Sequence, residues 1–136
     1  MYYGALEAGG TKMVCAIGDA DKNIIDRISI PTGTPDQSVP AMIDYFKKYD
    51  ISALGIGTFG PADINPNSPT YGSIMRSPKK AWEGFSLYKA FTDALGCLVV
   101  VDTDVNAAAW GEYLYGALKG LNSGMYLTVG TGIGGR

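Results

Sequence analysis

An aspartate at position 104 lies where an apolar run ends and a helical pattern begins. The apolar run covers residues 97–101, and the helical pattern extends from Thr103 to about Leu118. In α/β proteins, ligands collect at the carboxyl ends of such strands. The Asp104 carboxylate therefore has two interpretations. It is either a cap that accepts a hydrogen bond from a free backbone N–H, a role that Asp102 or Thr103 could fill instead, or a general base that takes a proton from a hydroxyl group.

A glycine turn near the start of the chain is a candidate phosphate loop. Gly9 and Gly10 separate two strand-like runs, and glycine lets backbone N–H groups turn toward an anion. Thr11 adds a hydroxyl and Lys12 adds a positive charge, while Glu7 could orient a divalent cation such as Mg²⁺. The alternative is a hairpin turn with exposed polar ends. The turn is neither a Walker A motif nor a dinucleotide motif, because both of those begin a helix.

A second glycine turn follows the last strand-like run. Gly130, Gly132 and Gly135 match the pattern Gly-x-Gly-x-x-Gly, and the turn also contains Thr131 and Gly134. A single match of this kind is weak evidence, and a tight turn is the alternative. Two strand-bounded glycine turns together with a strand-end aspartate are more specific. They suggest phosphoryl transfer, which needs phosphates held by backbone groups, a cation and a base beside the acceptor.

Composition restricts the class of protein. The 136 residues are 46% hydrophobic and 18% charged, which fits one globular domain with its own core. The net charge is −2 and no basic stripe is present, so no nucleic-acid partner is expected. No apolar run approaches the ~20 residues of a membrane span, and the first residues lack the features of a signal peptide. We therefore expect no membrane contact and a cytoplasmic location.

Histidine is absent from the sequence, which excludes Ser-His triads and histidine metal sites within these residues. The two cysteines, Cys15 and Cys97, both lie in strand-like runs. Free buried thiols are the first interpretation and fit a reducing cytoplasm, whereas a disulfide between the two is the alternative.

The elements that must position these groups follow from the apolar pattern. Strand-like runs at residues 2–8, 12–18 and 24–30 are joined by short turns, which predicts an antiparallel meander. Helices and strands then alternate, so the predicted order is β-β-β-α-β-α-β-α-β. This order predicts an α/β fold with a mixed five-stranded sheet and helices on its faces. The later strands are expected at 51–57, 97–101 and 125–129, and the second and third helices at 86–95 and 103–118.

The start of the first helix has two solutions. Thr34, Pro35 and Gln37 form a capping-box pattern, with the proline at the first helical position. Pro40 would then lie inside the helix, where it removes a hydrogen bond and clashes with the preceding turn. The alternative is a start at Ser38, which puts Pro40 in the first turn.

A long segment rich in proline and asparagine follows the fourth strand and extends to about residue 84. Loops of this length in compact domains are usually functional. Trp82, near its end, either anchors the segment or lines a pocket.

Five motifs, taken in order, resemble the ROK family of sugar kinases and repressors, and the closest branch is the bacterial ROK fructokinases. They are LEAGGTK at 6–12, GTFGP at 57–61, SPKKAW at 77–82, DTDVNAA at 102–108 and GTGIGG at 130–135. The resemblance covers the whole chain. It implies the actin-like ATPase fold, with an RNase H-like N-terminal lobe at residues 1–120 and the first strand of the C-terminal lobe at 121–136.

The resemblance also implies ATP-dependent phosphorylation of a hexose, with fructose to fructose 6-phosphate as the leading case. Residues 9–12 would form the first phosphate loop and residues 130–135 the second, with Mg²⁺-ATP near Glu7. Asp104 would be the base that takes the proton of the sugar hydroxyl. The sugar site would be supported by Gly60, Pro61, Thr103 and Asn106.

Two departures favour fructose over glucose. Many ROK glucokinases have aspartate where this chain has Glu7, and asparagine where it has Thr103; both changes resemble the fructokinase branch. A ROK glucokinase or another hexose kinase is one alternative, and a non-catalytic sugar-binding regulator is another. The repressors of the family usually carry a winged helix-turn-helix in front, and we expect none here because the first strand begins by Tyr2.

The strand and glycine turn at the end of the chain lead us to expect the N-terminal part of a longer protein. The structural zinc site of the family and most of the adenine pocket would then belong to the other part. We therefore expect no zinc within residues 1–136, and little or no activity from these residues alone. The expected partners are ATP and a small-molecule sugar, and homodimers are common in the family.

Overall fold

The first three strands form an antiparallel meander, as the sequence predicts. In the computed structural model, which describes residues 1–130 and 132–136, β1 covers Tyr2–Ala8, β2 covers Lys12–Asp19 and β3 covers Ile24–Pro31. β2 pairs antiparallel with both β1 and β3. Alternate side chains, among them Leu6 of β1 and Cys15 of β2, are buried because successive residues of a strand point to opposite faces.

Two further strands extend the sheet on the other side of β1. β4 covers Ala53–Thr58 and β5 covers Leu98–Thr103. β4 pairs parallel with β1 and β5 pairs parallel with β4, so the strand order is β3-β2-β1-β4-β5. This is the mixed five-stranded sheet predicted from the sequence. Because β1, β4 and β5 run in the same direction, the segments that follow them leave the sheet at the same edge.

The first helix, α1, covers Pro35–Lys47 and begins at the earlier of the two predicted positions. Thr34 is its N-cap residue, and the side-chain oxygen of Gln37 accepts a hydrogen bond from the Thr34 N–H at 3.1 Å. The alternative start at Ser38 is therefore wrong, and Pro40 lies inside the helix. Packing of the buried helix face outweighs the backbone hydrogen bond that the proline removes.

Helices cover the two faces of the sheet unequally. α2 covers Leu87–Leu95 and α3 covers Asp104–Tyr115. α1 and α2 pack together on the face that forms the core, where the rings of Phe46 and Phe91 meet edge to face at 6.1 Å. α3 lies on the opposite face, over Gly57 of β4, and none of its residues is fully buried.

α3 ends earlier than predicted, at Tyr115 rather than Leu118. The carboxylate of Glu112 accepts a hydrogen bond from the Ala117 N–H at 2.8 Å, which satisfies a backbone group just beyond the last turn. Within residues 1–130 and 132–136, no helix combines the length and the hydrophobicity needed to span a bilayer.

Near the end of the chain, where the sequence predicts a single strand at 125–129, the structure has a β-hairpin. β6 covers Leu127–Val129 and β7 covers Ile133–Gly135. The two strands pair antiparallel and form a small sheet separate from the five-stranded one. The sequence pattern missed β7 because two of its three residues are glycine, which is depleted in strands.

Trp82 anchors the long segment between β4 and α2. Its side chain is fully buried, and its Nε1–H donates a hydrogen bond to the carbonyl of Gly33 at 2.9 Å. The rings of Phe59 and Phe85 meet the indole edge to face, with centroids 6.1 and 5.6 Å away. Of the two interpretations of Trp82, the structure supports anchoring.

Both cysteines are free thiols, as the first interpretation of the sequence has it. Cys15 is fully buried in β2, whereas Cys97 is half-buried before β5. Burial raises the pKa of the Cys15 thiol to about 12, so this thiol stays protonated at neutral pH.

Replacing Trp82 with phenylalanine should lower the free energy of unfolding by about 2–3 kcal/mol, because the carbonyl of Gly33 loses its donor and a cavity opens. Urea denaturation followed by circular dichroism measures the change. Trp110→Phe is the matched control, since Trp110 is 61% exposed, and its effect should stay below about 0.5 kcal/mol. Equal effects of the two variants would contradict the anchoring role.

Candidate functional site

Three neighbouring parallel strands end side by side at one edge of the sheet. Ala8 of β1 is paired with Thr58 of β4, and Thr58 is paired with Thr103 of β5. The first glycine turn follows β1, the Gly60-Pro61 loop follows β4 and Asp104 follows β5. The structure therefore brings these three predicted segments to one place, the sheet edge at which α/β proteins bind ligands.

The carboxylate of Asp104 is not the cap of α3. Thr103 is the N-cap residue, and its hydroxyl accepts a hydrogen bond from the Asn106 N–H at 3.2 Å. One carboxylate oxygen of Asp104, Oδ1, accepts a hydrogen bond from the N–H of Val105 at 2.9 Å. In the described part of the chain no donor reaches the other oxygen, and the side chain is half-buried. Asp104 thus keeps an oxygen that a ligand can use.

Asp102 has its own structural role beside Asp104. Its Oδ1 accepts hydrogen bonds from the Thr103 N–H and from the side-chain amide of Asn106, both at 2.7 Å. The amide oxygen of Asn106 in turn accepts a hydrogen bond from Arg136 Nε at 2.6 Å. These bonds hold the first turn of α3 and tie it to the segment after β7.

A glycine of β4 lets the start of α3 lie close to the sheet. A β-carbon added to Gly57 would lie 3.1 Å from the Cβ of Ala107 and 3.5 Å from the Cα of Asp104. The shorter of these contacts is tighter than usual, so a larger residue would press α3 away from β4. Gly57 therefore sets the distance between Asp104 and the sheet.

Tyr71, in the long segment, holds the outer edge of β5, a role that the sequence did not reveal. Its hydroxyl accepts a hydrogen bond from the Val101 N–H at 2.8 Å and donates one to the Val101 carbonyl at 3.1 Å. β5 is an edge strand, so these bonds satisfy backbone groups that would otherwise lack a strand partner. Because Val101 directly precedes Asp102, Tyr71 steadies the strand end that carries both aspartates.

The first glycine turn combines three carbonyl groups that accept hydrogen bonds with two N–H groups that have no acceptor among the described residues. The carbonyl of Gly9 accepts a hydrogen bond from the Thr32 hydroxyl at 2.8 Å, and the carbonyl of Thr11 accepts one from the Thr32 N–H at 3.1 Å. The carbonyl of Lys12 accepts one from the Gly9 N–H at 3.0 Å. No described residue accepts a hydrogen bond from the N–H of Gly10 or Thr11. Two adjacent free N–H groups are an arrangement that binds phosphate.

Thr32 is a second site residue that the sequence analysis missed. It is only 3% exposed, and its two hydrogen bonds fix the glycine turn from behind. A threonine just after a strand carries no special signal, and its partner Gly9 lies 23 positions away. Only the folded structure shows that the two segments meet.

The Gly60-Pro61 loop lies next to the first glycine turn. The N–H of Phe59 donates a hydrogen bond to the carbonyl of Ala8 at 2.8 Å, which joins the end of β4 to the end of β1. The carbonyl of Pro61 accepts a hydrogen bond from the Met75 N–H at 2.8 Å. Gly60 and Pro61 are both exposed, so this loop borders the site without filling it.

Glu7 and Asp104 line one small pocket of about 60 Å³, together with Tyr126 and Thr128 of the C-terminal segment. A larger cleft of about 730 Å³ shares both carboxylates and runs under α3 along the exposed face of the sheet. Most residues along this cleft are apolar. The carboxylates of Glu7 and Asp104 therefore lie at the end of the cleft that is nearest the carboxyl ends of the parallel strands.

Glu7 and Asp104 are the carboxylates that could contribute ligands to a magnesium ion bound with a phosphate. Mg²⁺ usually keeps several waters and binds one or two carboxylates together with substrate phosphates. Glu7 is exposed, so its carboxylate is accessible to a ligand from solvent. In residues 1–130 and 132–136, no group of three or more His, Cys, Asp or Glu side chains could hold a metal by itself.

The predicted second glycine turn at 130–135 is only partly a turn: Gly134 and Gly135 belong to β7, whereas Gly130 and Gly132 lie between the two strands of the β6–β7 hairpin. The Gly130 N–H donates a hydrogen bond to the Gly132 carbonyl at 2.8 Å, so this N–H is not free for an anion. Thr131, also predicted to bind phosphate, lies outside the described residues. A β-carbon on Gly134 would lie 3.2 Å from Val105 Cγ2, so the hairpin packs against the first turn of α3. Gly135 pairs with Leu127 in the hairpin.

Comparison with known proteins gives consistent matches. The sequence model of the ROK family matches residues 3–136. The fructokinase of Lactococcus lactis subsp. cremoris is 46% identical over 135 residues, which are 99% of this chain and 46% of that protein. The fructokinase of Pediococcus pentosaceus is 44% identical over 134 residues, 98% of this chain and 46% of that protein. The chain thus spans about half the length of the curated relatives it matches.

The fold also matches a solved structure. The ROK family glucokinase of Streptomyces griseus, in complex with glucose and AMPPNP, aligns with a TM-score of 0.82 at 29% identity. The alignment covers 99% of this chain and 43% of that chain. The predicted fold, the N-terminal lobe of an actin-like ATPase, is confirmed.

The two glycines of the first turn should respond differently to a methyl group. A β-carbon on Gly9 would lie 2.6 Å from the Lys12 carbonyl oxygen, which is backbone and cannot move away cheaply. Gly9→Ala should therefore lower the free energy of unfolding by about 1–3 kcal/mol, measured by urea denaturation. Gly10→Ala is the control, because its nearest neighbour is Lys79 Cε at 3.6 Å, and it should change stability by less than about 0.5 kcal/mol. A harmless Gly9→Ala variant would contradict the described turn.

Proposed function

This chain belongs to the ROK family, and from that membership we propose that the whole protein transfers a phosphoryl group from ATP to a hexose. The proposed substrate is D-fructose and the proposed product is fructose 6-phosphate. The relatives named fructokinase support this substrate, since they match nearly the full length of this chain. The glucokinase structure with AMPPNP supports ATP as the phosphoryl donor.

The observation that carries the proposal is the meeting of three segments at one sheet edge. Free N–H groups at Gly10 and Thr11 could hold phosphates, the Gly60-Pro61 loop could border an acceptor, and Asp104 has an available carboxylate oxygen. Phosphoryl transfer depends mainly on positioning and electrostatic stabilisation, so this juxtaposition is what the reaction requires.

In the proposed reaction, Asp104 acts as general base. The 6-hydroxyl of the sugar gives its proton to the carboxylate while its oxygen forms a bond to the terminal phosphorus of ATP. The bond between that phosphorus and the bridging oxygen breaks, and ADP leaves with the electron pair. A magnesium ion near Glu7 would neutralise charge on the phosphates when ATP is bound.

The remaining residues have proposed binding roles. Residues 9–12 would hold the phosphates of ATP, and the glycine-rich segment at 130–135 would approach the nucleotide from the hairpin. Thr103, Asn106, Gly60 and Pro61 would border the sugar. Because the Thr103 hydroxyl caps α3 and Asn106 bonds to Asp102, we propose that these two act mainly by orienting the first turn of α3.

The proposed division of the chain follows from the same reasoning. Residues 1–120 would form the N-terminal lobe and residues 121–136 would begin the C-terminal lobe, which would complete the site. We therefore propose that residues 1–136 by themselves turn over little or no sugar. Detectable fructose phosphorylation by these residues alone would contradict this part of the proposal.

Asp104→Asn in the full-length protein should lower kcat by about 10²–10⁴-fold, because the amide cannot accept the proton, while the affinity for fructose stays within about threefold. A coupled ADP-release assay and calorimetric sugar binding measure the two quantities. Asp102→Asn is the matched control, since an amide oxygen can still accept from Thr103 and Asn106. Its kcat should stay within about tenfold of wild type. Wild-type turnover by Asp104→Asn would remove Asp104 from the role of base.

Fructose should be the preferred hexose of the full-length protein. We expect its kcat/KM to exceed those of glucose, mannose and N-acetylglucosamine by at least about tenfold. Thr103→Asn should narrow the ratio of fructose to glucose, because asparagine is the residue found at this position in many ROK glucokinases. Asparagine is also a good N-cap, so α3 should persist in the variant. A wild-type preference for glucose would overturn the fructose assignment and leave hexose phosphorylation intact.

A further inference from the structure

We propose that Lys79 is a further phosphate-binding residue, whose ammonium group contacts the phosphates of the nucleotide above the first glycine turn. The proposal rests on the proposed kinase function and adds to it a binding residue outside the glycine turns and the sugar loop. It follows from where the structure puts Lys79 and from what surrounds it.

The side chain of Lys79 lies over Gly10. A β-carbon built on Gly10 would be 3.6 Å from Lys79 Cε, the carbon that carries the ammonium group. The free N–H groups of Gly10 and Thr11 belong to the same turn. The charged end of the exposed Lys79 side chain therefore lies near backbone donors that have no described acceptor.

The backbone around Lys79 is connected, through Trp82, to the segment 32–33, and Thr32 also holds the glycine turn. The N–H of Lys79 donates a hydrogen bond to the hydroxyl of Ser77 at 3.2 Å, and Ser77 is 3% exposed. The carbonyl of Lys79 accepts a hydrogen bond from the N–H of Trp82 at 3.0 Å. Trp82 in turn bonds to the carbonyl of Gly33, directly after the threonine that holds the turn. One set of contacts thus positions both halves of the proposed site.

The neighbouring lysine shows a different environment. Lys80 forms an ion pair with Glu83 at 3.1 Å, and the hydrogen bond from Lys80 holds the pKa of Glu83 below its usual value. Among the described residues no carboxylate pairs with Lys79. A lysine that interacts only with solvent requires neither a fixed backbone nor a position over Gly10.

The chemistry of the assembled groups selects the ligand. The turn offers two backbone N–H groups, and Lys79 adds a positive charge above it. The sequence of the turn also includes the hydroxyl of Thr11 and the charge of Lys12, and none of these groups is a carboxylate. Such a set favours an anion with several oxygen atoms, and a polyphosphate chain fits it better than a single carboxylate. The nucleotide phosphates of the proposed reaction are such a ligand.

The test compares two adjacent lysines in the full-length protein. Lys79→Met keeps most of the side-chain stem but removes the charge, and it should lower kcat/KM for ATP by about 10–100-fold, as loss of one charge-assisted hydrogen bond does. The affinity for fructose should stay within about twofold. Lys79→Arg should recover most of the loss, and Lys80→Met should change kcat/KM for ATP by less than about threefold.

A second measurement does not require turnover. AMPPNP with Mg²⁺ should protect Lys79 of the wild-type protein from acetylation by an N-hydroxysuccinimide ester, read by mass spectrometry, and should not protect Lys80. Equal protection of both lysines, or equal kinetics of Lys79→Met and Lys80→Met, would overturn the assignment. If the wild-type protein phosphorylates no hexose, the proposed function fails, and the protection experiment still decides whether Lys79 meets a nucleotide phosphate.

Discussion

The parallel pairing of β1, β4 and β5 is the constraint on which the whole site depends. Its register aligns Ala8, Thr58 and Thr103, so the segments that follow them leave the sheet together. A slip of one residue in either pairing would turn the buried side chains of that strand to the opposite face. The hydrophobic core therefore fixes the register, and the register determines which segments meet at the site. Polar contacts, such as the hydrogen bond from Thr32 to Gly9, then hold these segments in place.

Much of the fold could be predicted because apolar runs and capping signals involve residues that are close together in the sequence. The strand-like runs at residues 2–8 and 12–18 and the capping signals around Thr34 led to elements that the structure contains. The pattern could not decide whether α1 tolerates Pro40, since that outcome depends on tertiary packing of the helix. It also missed β7, whose glycines give no strand signal and whose pairing with β6 forms only when both segments meet.

The candidate site likewise contains residues that the sequence could predict and residues that only the folded structure reveals. Residue type and position pointed to the glycine turn after β1 and to the aspartate after β5, because the combination of glycine turns with a strand-end carboxylate is more specific than either feature alone. The residues that hold them were not identifiable. Thr32 reaches Gly9 across 23 positions, and Tyr71 reaches Val101 across 30, so each contact exists only in the folded chain. The distinction between Asp102 and Asp104 likewise required the hydrogen bonds that occupy Asp102.

A structure of the full-length protein with fructose and AMPPNP would test the central claim most directly. The measured quantity is the distance from each aspartate of this strand end to the 6-hydroxyl of the sugar. Our account predicts a carboxylate oxygen of Asp104 within about 2.6–3.2 Å of that hydroxyl, with phosphate oxygens on the N–H groups of Gly10 and Thr11. A sugar bound to Asp102 instead, or phosphates bound away from this turn, would contradict it.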